Sequence, residues 1–352
     1  MHMALSAEVT RAGGAPMTVP FPTAALPARI TGIGSYLPQR IVTNGELEAQ
    51  LGLASGWIED RTGVRERRRC GGESSAFMAA AAARHALAMA GLSAGDLTAI
   101  IGATSTPQQA IPCTAVFVQR ELDAPEGVAA CFDVNATCLS FLAAFDVAAR
   151  LVAGGAHQHV LVFSSENTSH SLNPDEPESA VLFGDAAAAV IVSHAGDSDS
   201  ALHSSRLQTW HTGAELSQIS GGGTLHHPND PDTTAAHNLF AMRGPQLFRK
   251  AAPLLTPFMD ALCASAGWSR NDVSAVVPHQ ASRHGIELGW KMLGFREPQI
   301  VVNLATRGNC IAASMPLALS EAVHVGRIHR GDRVLLFGVA AGLSLGGAAL
   351  TF

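Results

Sequence analysis

The sequence predicts an α/β fold made of two duplicated halves, with helices held between two sheets, on three observations. Gly91-Leu-Ser-Ala-Gly-Asp96-Leu-Thr-Ala-Ile-Ile101 recurs as Gly267-Trp-Ser-Arg-Asn-Asp272-Val-Ser-Ala-Val-Val277, and the two copies agree in glycine, serine, aspartate, alanine and every apolar position. A second pair keeps nearly the same offset along the chain: Cys138 to Ala153 reads as a helix stopped by Gly154-Gly155 before Val160-Leu-Val-Phe-Ser164, and Ile311 to Val325 as one stopped by Gly326 before Val334-Leu-Leu-Phe337. The helix from Cys138 is apolar on nearly every face (Leu139, Phe141, Leu142, Phe145, Val147, Leu151, Val152), with only Asp146 and Arg150 charged. Such a helix must be buried all round, which calls for sheet on either side of it.

In chain order, residues 1–28 carry Gly13, Gly14, Pro16, Pro20, Pro22 and Pro27 and read as a disordered leader. Their apolar stretches are too broken for a signal-peptide core or a membrane span. Residues 29–195 form the N-terminal half, in which Ser75 to Met89 is a helix that turns at Gly91 into a buried strand. The alanine runs at Ala79 to Ala83 and Ala186 to Ala189 are small-residue segments in tight packing. The boundary falls in the polar stretch Ser193 to Ala201, and residues 196–352 repeat the plan with a helix over Leu247 to Ala266.

Of the 352 residues, 47% are apolar and 15% charged, enough apolar material for a large core. The net charge is -6, and Arg65, Arg67, Arg68 and Arg69 form a short run rather than a stripe, so nucleic acid is not an expected partner. No segment reaches the roughly 20 apolar residues of a membrane span. Six scattered cysteines lack metal-ligand spacing and the density of a disulfide scaffold, which suits a reducing, cytoplasmic compartment. His226-His227 has no recurring ligand nearby, so no metal is expected.

Three residues carry candidate chemistry. Cys138 stands at the start of the buried helix, where unpaired backbone N–H groups and the positive end of the dipole favour a thiolate. His279 follows the apolar run Ala275-Val-Val-Pro278, at the end of a strand where α/β folds gather their chemistry, and its counterpart in the other half is Ala103. Asn309 lies in Arg307-Gly308-Asn309-Cys310, a turn into the second buried helix. Gly32-Ile-Gly34 lacks the third glycine of a dinucleotide loop, and the sequence contains no P-loop, G-x-S-x-G elbow or H-E-x-x-H motif.

Together these segments resemble β-ketoacyl-acyl-carrier-protein synthase III over nearly the whole chain, from about Ala28 to Phe352. Phe132-Asp-Val-Asn-Ala-Thr-Cys138 is similar to its nucleophile segment, Val277-Pro-His279-Gln-Ala281 to its histidine motif, and Gly308-Asn309-Cys-Ile-Ala-Ala-Ser314 to its asparagine motif. Leu182-Phe-Gly-Asp185 and Trp57-Ile-Glu-Asp-Arg61-Thr-Gly-Val-Arg-Glu66 also fit. The resemblance implies a thiolase-like, five-layered αβαβα fold and a homodimer. It further implies Cys138 as acyl acceptor, His279 and Asn309 as donors to a malonyl thioester, and an oxyanion hole from the backbone N–H groups of Cys138 and Ala341. Trp57, Arg61 and Arg249 would meet coenzyme A, and an acyl carrier protein would be the macromolecular partner. No cofactor beyond the thioester substrates is implied.

The departures bear on substrate. Val339-Ala-Ala-Gly-Leu-Ser-Leu-Gly346 replaces a glycine-rich segment, and its extra methyl groups reshape the space beside the nucleophile. Pro177 and Pro245 stand where an arginine and an asparagine often meet coenzyme A, so carrier protein is an alternative acyl donor. Ile111 falls where a partner subunit reaches the acyl tunnel and where the hydrocarbon-forming head-to-head enzymes place a glutamate, which disfavours that subfamily. The leading expectation is decarboxylative Claisen condensation of an acyl thioester with a malonyl thioester. The alternative is acyl transfer from Cys138 to an alcohol or amine; a non-catalytic partner subunit is disfavoured by the retained Cys138, His279 and Asn309.

Overall fold

The computed structural model describes residues 24–352. Residues 1–23 of the expected leader lie outside the described residues. The last residues of that expected leader belong to the fold, because Leu26 pairs with Leu202 and the first strand begins at Ala28.

Two sheets repeat one topology. The first joins β1 (Ala28–Tyr36), β2 (Ala99–Gly102), β3 (Ala130–Asp133), β4 (His159–Glu166) and β5 (Ala186–His194) in the order β1-β5-β4-β2-β3. The second joins β6 (Ala201–Thr209), β7 (Ala275–Pro278), β8 (Arg333–Ala340) and β9 (Ser344–Thr351) in the order β7-β8-β9-β6. Strand senses match as well: β1 and β4 flank β5 antiparallel, as β6 and β8 flank β9, and β2 runs parallel to β4 as β7 does to β8. Only β3 lacks a full counterpart, reduced in the second sheet to one parallel bridge between Val276 and Ile300.

The repeated glycine, serine and aspartate motif works as a stop-and-start device. Gly91 and Gly267 end their helices in the left-handed region, at φ 67° and 70°, which glycine adopts without steric cost. Ser93 and Ser269 then cap a short 3₁₀ turn, each donating its N–H to the carboxylate of Asp96 or Asp272 at 2.8 and 2.7 Å. The recurring spacing therefore fixes the same corner ahead of β2 and β7.

Helices make three further layers. α1 (Ser75–Ala90) and α2 (Thr114–Glu121) cover the outer face of the first sheet, and α4 (Gly244–Ala266) and α5 (Arg283–Leu293) that of the second. Between the sheets lie α3 (Ser140–Ala153) and α6 (Ser314–His324), giving αβαβα. Alternation along the strands serves both sides: Ile101, Val162, Val277 and Leu336 face this central layer, while Ile100, Leu161, Val276 and Leu335 face the outer helices. The alanine run of β5 follows from crowding. Ala187 and Ala189 meet α1, whose facing residues are themselves alanines, and Ala186 and Ala188 meet Cys310, Ala313 and Leu317.

α3 is buried as its composition requires. Phe141 and Phe145 stack with centroids 6.1 Å apart inside the core that joins both halves. Truncating Phe145 to alanine should therefore cost about 3–5 kcal/mol of stability in urea unfolding. A loss under about 1 kcal/mol would show that the central layer does not hold the halves together.

Candidate active site

The two loops that feed the central helices are built alike. After β3 the chain turns through Asn135, Ala136, Thr137 and Cys138 before α3 begins at Ser140. Asn135 Oδ1 accepts from the Thr137 N–H at 2.9 Å, and Ser140 Oγ accepts from the Ala136 N–H at 2.9 Å while donating to the Thr137 carbonyl at 2.7 Å. Ahead of α6, Asn309 Oδ1 accepts from the Ile311 N–H at 2.9 Å and Ser314 Oγ accepts from the Cys310 N–H at 3.0 Å. Thr137 and Ile311 both hold positive φ, 52° and 46°, a conformation costing a branched residue about 1–2 kcal/mol. The loops therefore align position by position, Asn135 with Asn309, Thr137 with Ile311 and Ser140 with Ser314, and Ala312 occupies the place of Cys138.

This geometry revises one expectation. Cys138 is not the first residue of its helix but lies two positions before it, partly exposed, with its sulfur against its own backbone N–H and that of Ala341. Removal of the sulfur from water, reinforced by the nearby Glu166 carboxyl, pushes the thiol up to about 12 against the pull of those two N–H groups. Desolvation outweighs the donors, so the resting group at neutral pH is the thiol and not the expected thiolate.

Ala341 belongs to the turn between β8 and β9, and its carbonyl accepts from Thr137 Oγ1 at 3.4 Å. The turn is thereby tied to the Cys138 loop. His279 follows β7, its N–H donating to the Phe337 carbonyl of β8 at 2.8 Å. Glycine at 338 permits the approach: a Cβ there would lie 2.8 Å from His279 Cβ and 3.1 Å from Leu139 Cδ2, beside Cys138. His279 and Asn309 are each 7% exposed. Burial lowers the His279 imidazole to about 4, and its Nδ1 has no partner among the described residues, so the ring is neutral at physiological pH.

Sequence reasoning missed Glu166. It ends β4, fully buried, and accepts from the Ser105 N–H at 2.8 Å and from the Thr106 N–H and hydroxyl at 3.1 and 2.8 Å. Burial raises it to about 7 against those hydrogen bonds, and its charge also acts on Cys138 and Cys310. The available signal was an acid two residues beyond the run Val160-Leu-Val-Phe-Ser164.

The residues expected around substrate divide into two groups. Trp57 and Arg61 come together, the guanidinium 5.5 Å from the indole centroid, and Arg61 also pairs with Glu178 at 3.4 Å. Arg249 is exposed on α4. Val339 lies within β8 and packs against the core of the outer second layer. Ile111 is 84% exposed in the isolated chain. The arginine run is not a surface cluster, since Arg67 and Arg69 are buried in the short strand Glu66–Arg69.

A thiol raised to about 12 should make modification of Cys138 by iodoacetamide rise about tenfold per pH unit between pH 7 and 9, followed by peptide mapping. A plateau across that range would mean that the thiolate already exists.

Comparison with known proteins agrees with this architecture. The model of the 3-oxoacyl-[acyl-carrier-protein] synthase III family matches residues 132–210, and that of its C-terminal part matches 263–352. A β-ketoacyl-[acyl-carrier-protein] synthase III of Acidiphilium cryptum is 38% identical over 325 residues, covering 92% of this chain and 98% of the relative. The crystal structure of 3-oxoacyl-[acyl-carrier-protein] synthase III from Aquifex aeolicus superposes with a TM-score of 0.84 at 34% identity, over 92% of this chain and 100% of that one. A priming β-ketosynthase of a polyketide biosynthetic pathway superposes with a TM-score of 0.85 at 30% identity, over 96% and 98%. Duplicated sheets, a central pair of buried helices and sustained identity across both halves place this chain in the β-ketoacyl-[acyl-carrier-protein] synthase III family, with its thiolase-like fold.

Proposed function

We propose that the chain forms β-ketoacyl thioesters by decarboxylative Claisen condensation, with Cys138 as nucleophile and His279 and Asn309 as donors to the second substrate. The supporting observation is a thiol held at two backbone N–H groups while the buried histidine nearby stays neutral. Cys138 Sγ attacks the thioester carbonyl, and the oxyanion forms where the Cys138 and Ala341 N–H groups can receive it. Collapse breaks the carbon–sulfur bond to the carrier, whose thiol leaves with the proton that Cys138 gave up.

In the second stage a malonyl thioester loses carbon dioxide. The electron pair of the broken bond becomes an enolate, stabilised by hydrogen bonds to its oxygen from His279 and from the Asn309 amide. Asn309 suits this task because its Oδ1 is occupied by the Ile311 N–H, leaving Nδ2 to donate. An imidazole lowered to about 4 is a weak base and a ready neutral donor, which favours carbon–carbon bond formation over deprotonation of an alcohol or amine. The enolate carbon attacks the acyl group, and Cys138 is released. No resident cofactor is needed.

Trp57, Arg61 and Arg249 would receive the pantetheine-bearing carrier, by stacking and by phosphate contacts. Among the described residues β3 ends the first sheet with an open edge, and Ile111 is exposed, which together support a homodimer that covers both. Among the described residues no helix is long and apolar enough to cross a membrane. A cytoplasmic setting is supported by six free cysteines.

With acetyl and malonyl thioesters, Cys138→Ser should abolish acyl labelling of the protein by intact mass. His279→Ala and Asn309→Ala should each keep the label but release carbon dioxide about 100-fold more slowly. Acyl transfer to an added alcohol without decarboxylation would overturn the assignment.

A further inference from the structure

Asn309 owes its position to a segment with no regular structure of its own. The Asn309 N–H donates to the Leu182 carbonyl at 2.8 Å, and the Asn309 carbonyl accepts from the Gly184 N–H at 3.0 Å. The stretch 181–184 runs between a single helical turn, Pro177–Ala180, and β5. Two glycines let the crossing chains touch. A Cβ at Gly308, where φ is 68°, would lie 2.7 Å from the Leu182 carbonyl, and one at Gly184 would collide with the Arg307 carbonyl.

Beneath this crossing lies Arg67, 0% exposed. Its Nη2 donates to the Val181 carbonyl at 2.8 Å, and its Nη1 to Asn44 Oδ1 at 2.9 Å and the Val42 carbonyl at 3.4 Å. Its Cβ supports both glycines, 3.2 Å from a Cβ placed at Gly184 and 3.4 Å from one at Gly308. Burial lowers the guanidinium to about 10, yet it stays charged at neutral pH and has no carboxylate within ion-pair distance among the described residues. A cation buried against neutral acceptors costs stability, and methionine or leucine would fill the volume more cheaply. What only a planar, forked donor provides is a rigid span between two fixed acceptors.

We infer that Arg67 is a positioning residue for the second half-reaction: it fixes the 181–184 backbone and, through it, the amide of Asn309. Among the described residues Arg67 hydrogen-bonds Val42, Asn44 and Val181, while the Cys138 loop is tied by Asn135, Ser140 and Ala341. Loss of the strut should therefore separate the two stages. This rests on the condensation reading, and the wild-type protein tests that reading first, since its failure to release carbon dioxide from a malonyl thioester would remove the premise.

The experiment compares wild type with Arg67→Lys, whose single ammonium cannot span Val181 and Asn44 at once. Acylation of Cys138 by an acetyl thioester is timed by intact mass, and carbon dioxide release from malonyl thioester is timed on the pre-formed acetyl-enzyme. The expected result is acylation within about threefold of wild type and decarboxylation lowered roughly 100-fold, the scale of a donor displaced by about 1 Å. Equal losses in both stages, or none in either, would overturn the inference. Should Arg67→Lys fail to fold, Asn44→Ala, which removes one end of the span and leaves the guanidinium in place, is read by the same two rates and the same criteria.

Discussion

Two largely apolar helices are buried between two sheets, and the rest of the structure answers to that constraint. Along α3 and α6, Phe141, Phe145, Met315 and Leu319 are all surrounded by the core that joins the halves. Charged groups along them are few and paired, as in Asp146 with Arg150 and Glu321 with Arg307, whereas the first backbone N–H groups of a helix lack intrahelical partners. The loops entering α3 and α6 are thus the natural sites for function. Both are stiffened by the same Asn and Ser hydrogen bonds around a positive-φ residue. Duplication supplied one rigid loop twice, and differences that include Cys138 against Ala312 made the two unequal.

The same burial sets the electrostatics. Taking Cys138, His279 and Glu166 out of water disfavours the charged form of each: the thiol rises to about 12, the imidazole falls to about 4 and the carboxyl rises to about 7. A neutral thiol and a neutral imidazole beside two backbone N–H donors are poised for charge that appears only during reaction, as in a tetrahedral oxyanion or an enolate.

Much of this was legible in the sequence because the repeats carry their geometry locally. Gly91, Ser93 and Asp96 form a corner by themselves, so their recurrence at Gly267, Ser269 and Asp272 announced a second α/β half, and the apolar helix announced its central layer. The twinned loops were less visible, because Asn135 and Asn309 are alike while Thr137 and Ile311, or Cys138 and Ala312, share a backbone shape without sharing chemistry. The state of the thiol was misjudged for a physical reason. Helix-start N–H groups are readable from sequence, but the desolvation opposing them depends on packing from the other half, such as Gly338 and Gly346 against Leu139. Arg67 and Arg69 illustrate the same gap, because closely spaced arginines look like a surface patch until a strand buries alternate ones.

That alternation explains why the motif around Glu66 reaches so far into the site. In the strand Glu66–Arg69, residues 67 and 69 point inward, and each holds a different part of the irregular chain between β4 and β5. Arg67 reaches the Val181 carbonyl, while Arg69 lies 3.8 Å from Asp185 and donates to Thr168 Oγ1 at 3.1 Å. Asp185 in turn gathers the Thr168 N–H and hydroxyl, the Ser169 hydroxyl and the Cys70 N–H. An irregular segment cannot satisfy its own backbone as a helix or strand does. Here buried cations on a neighbouring strand do so, and the asparagine loop that pairs with that segment inherits its rigidity.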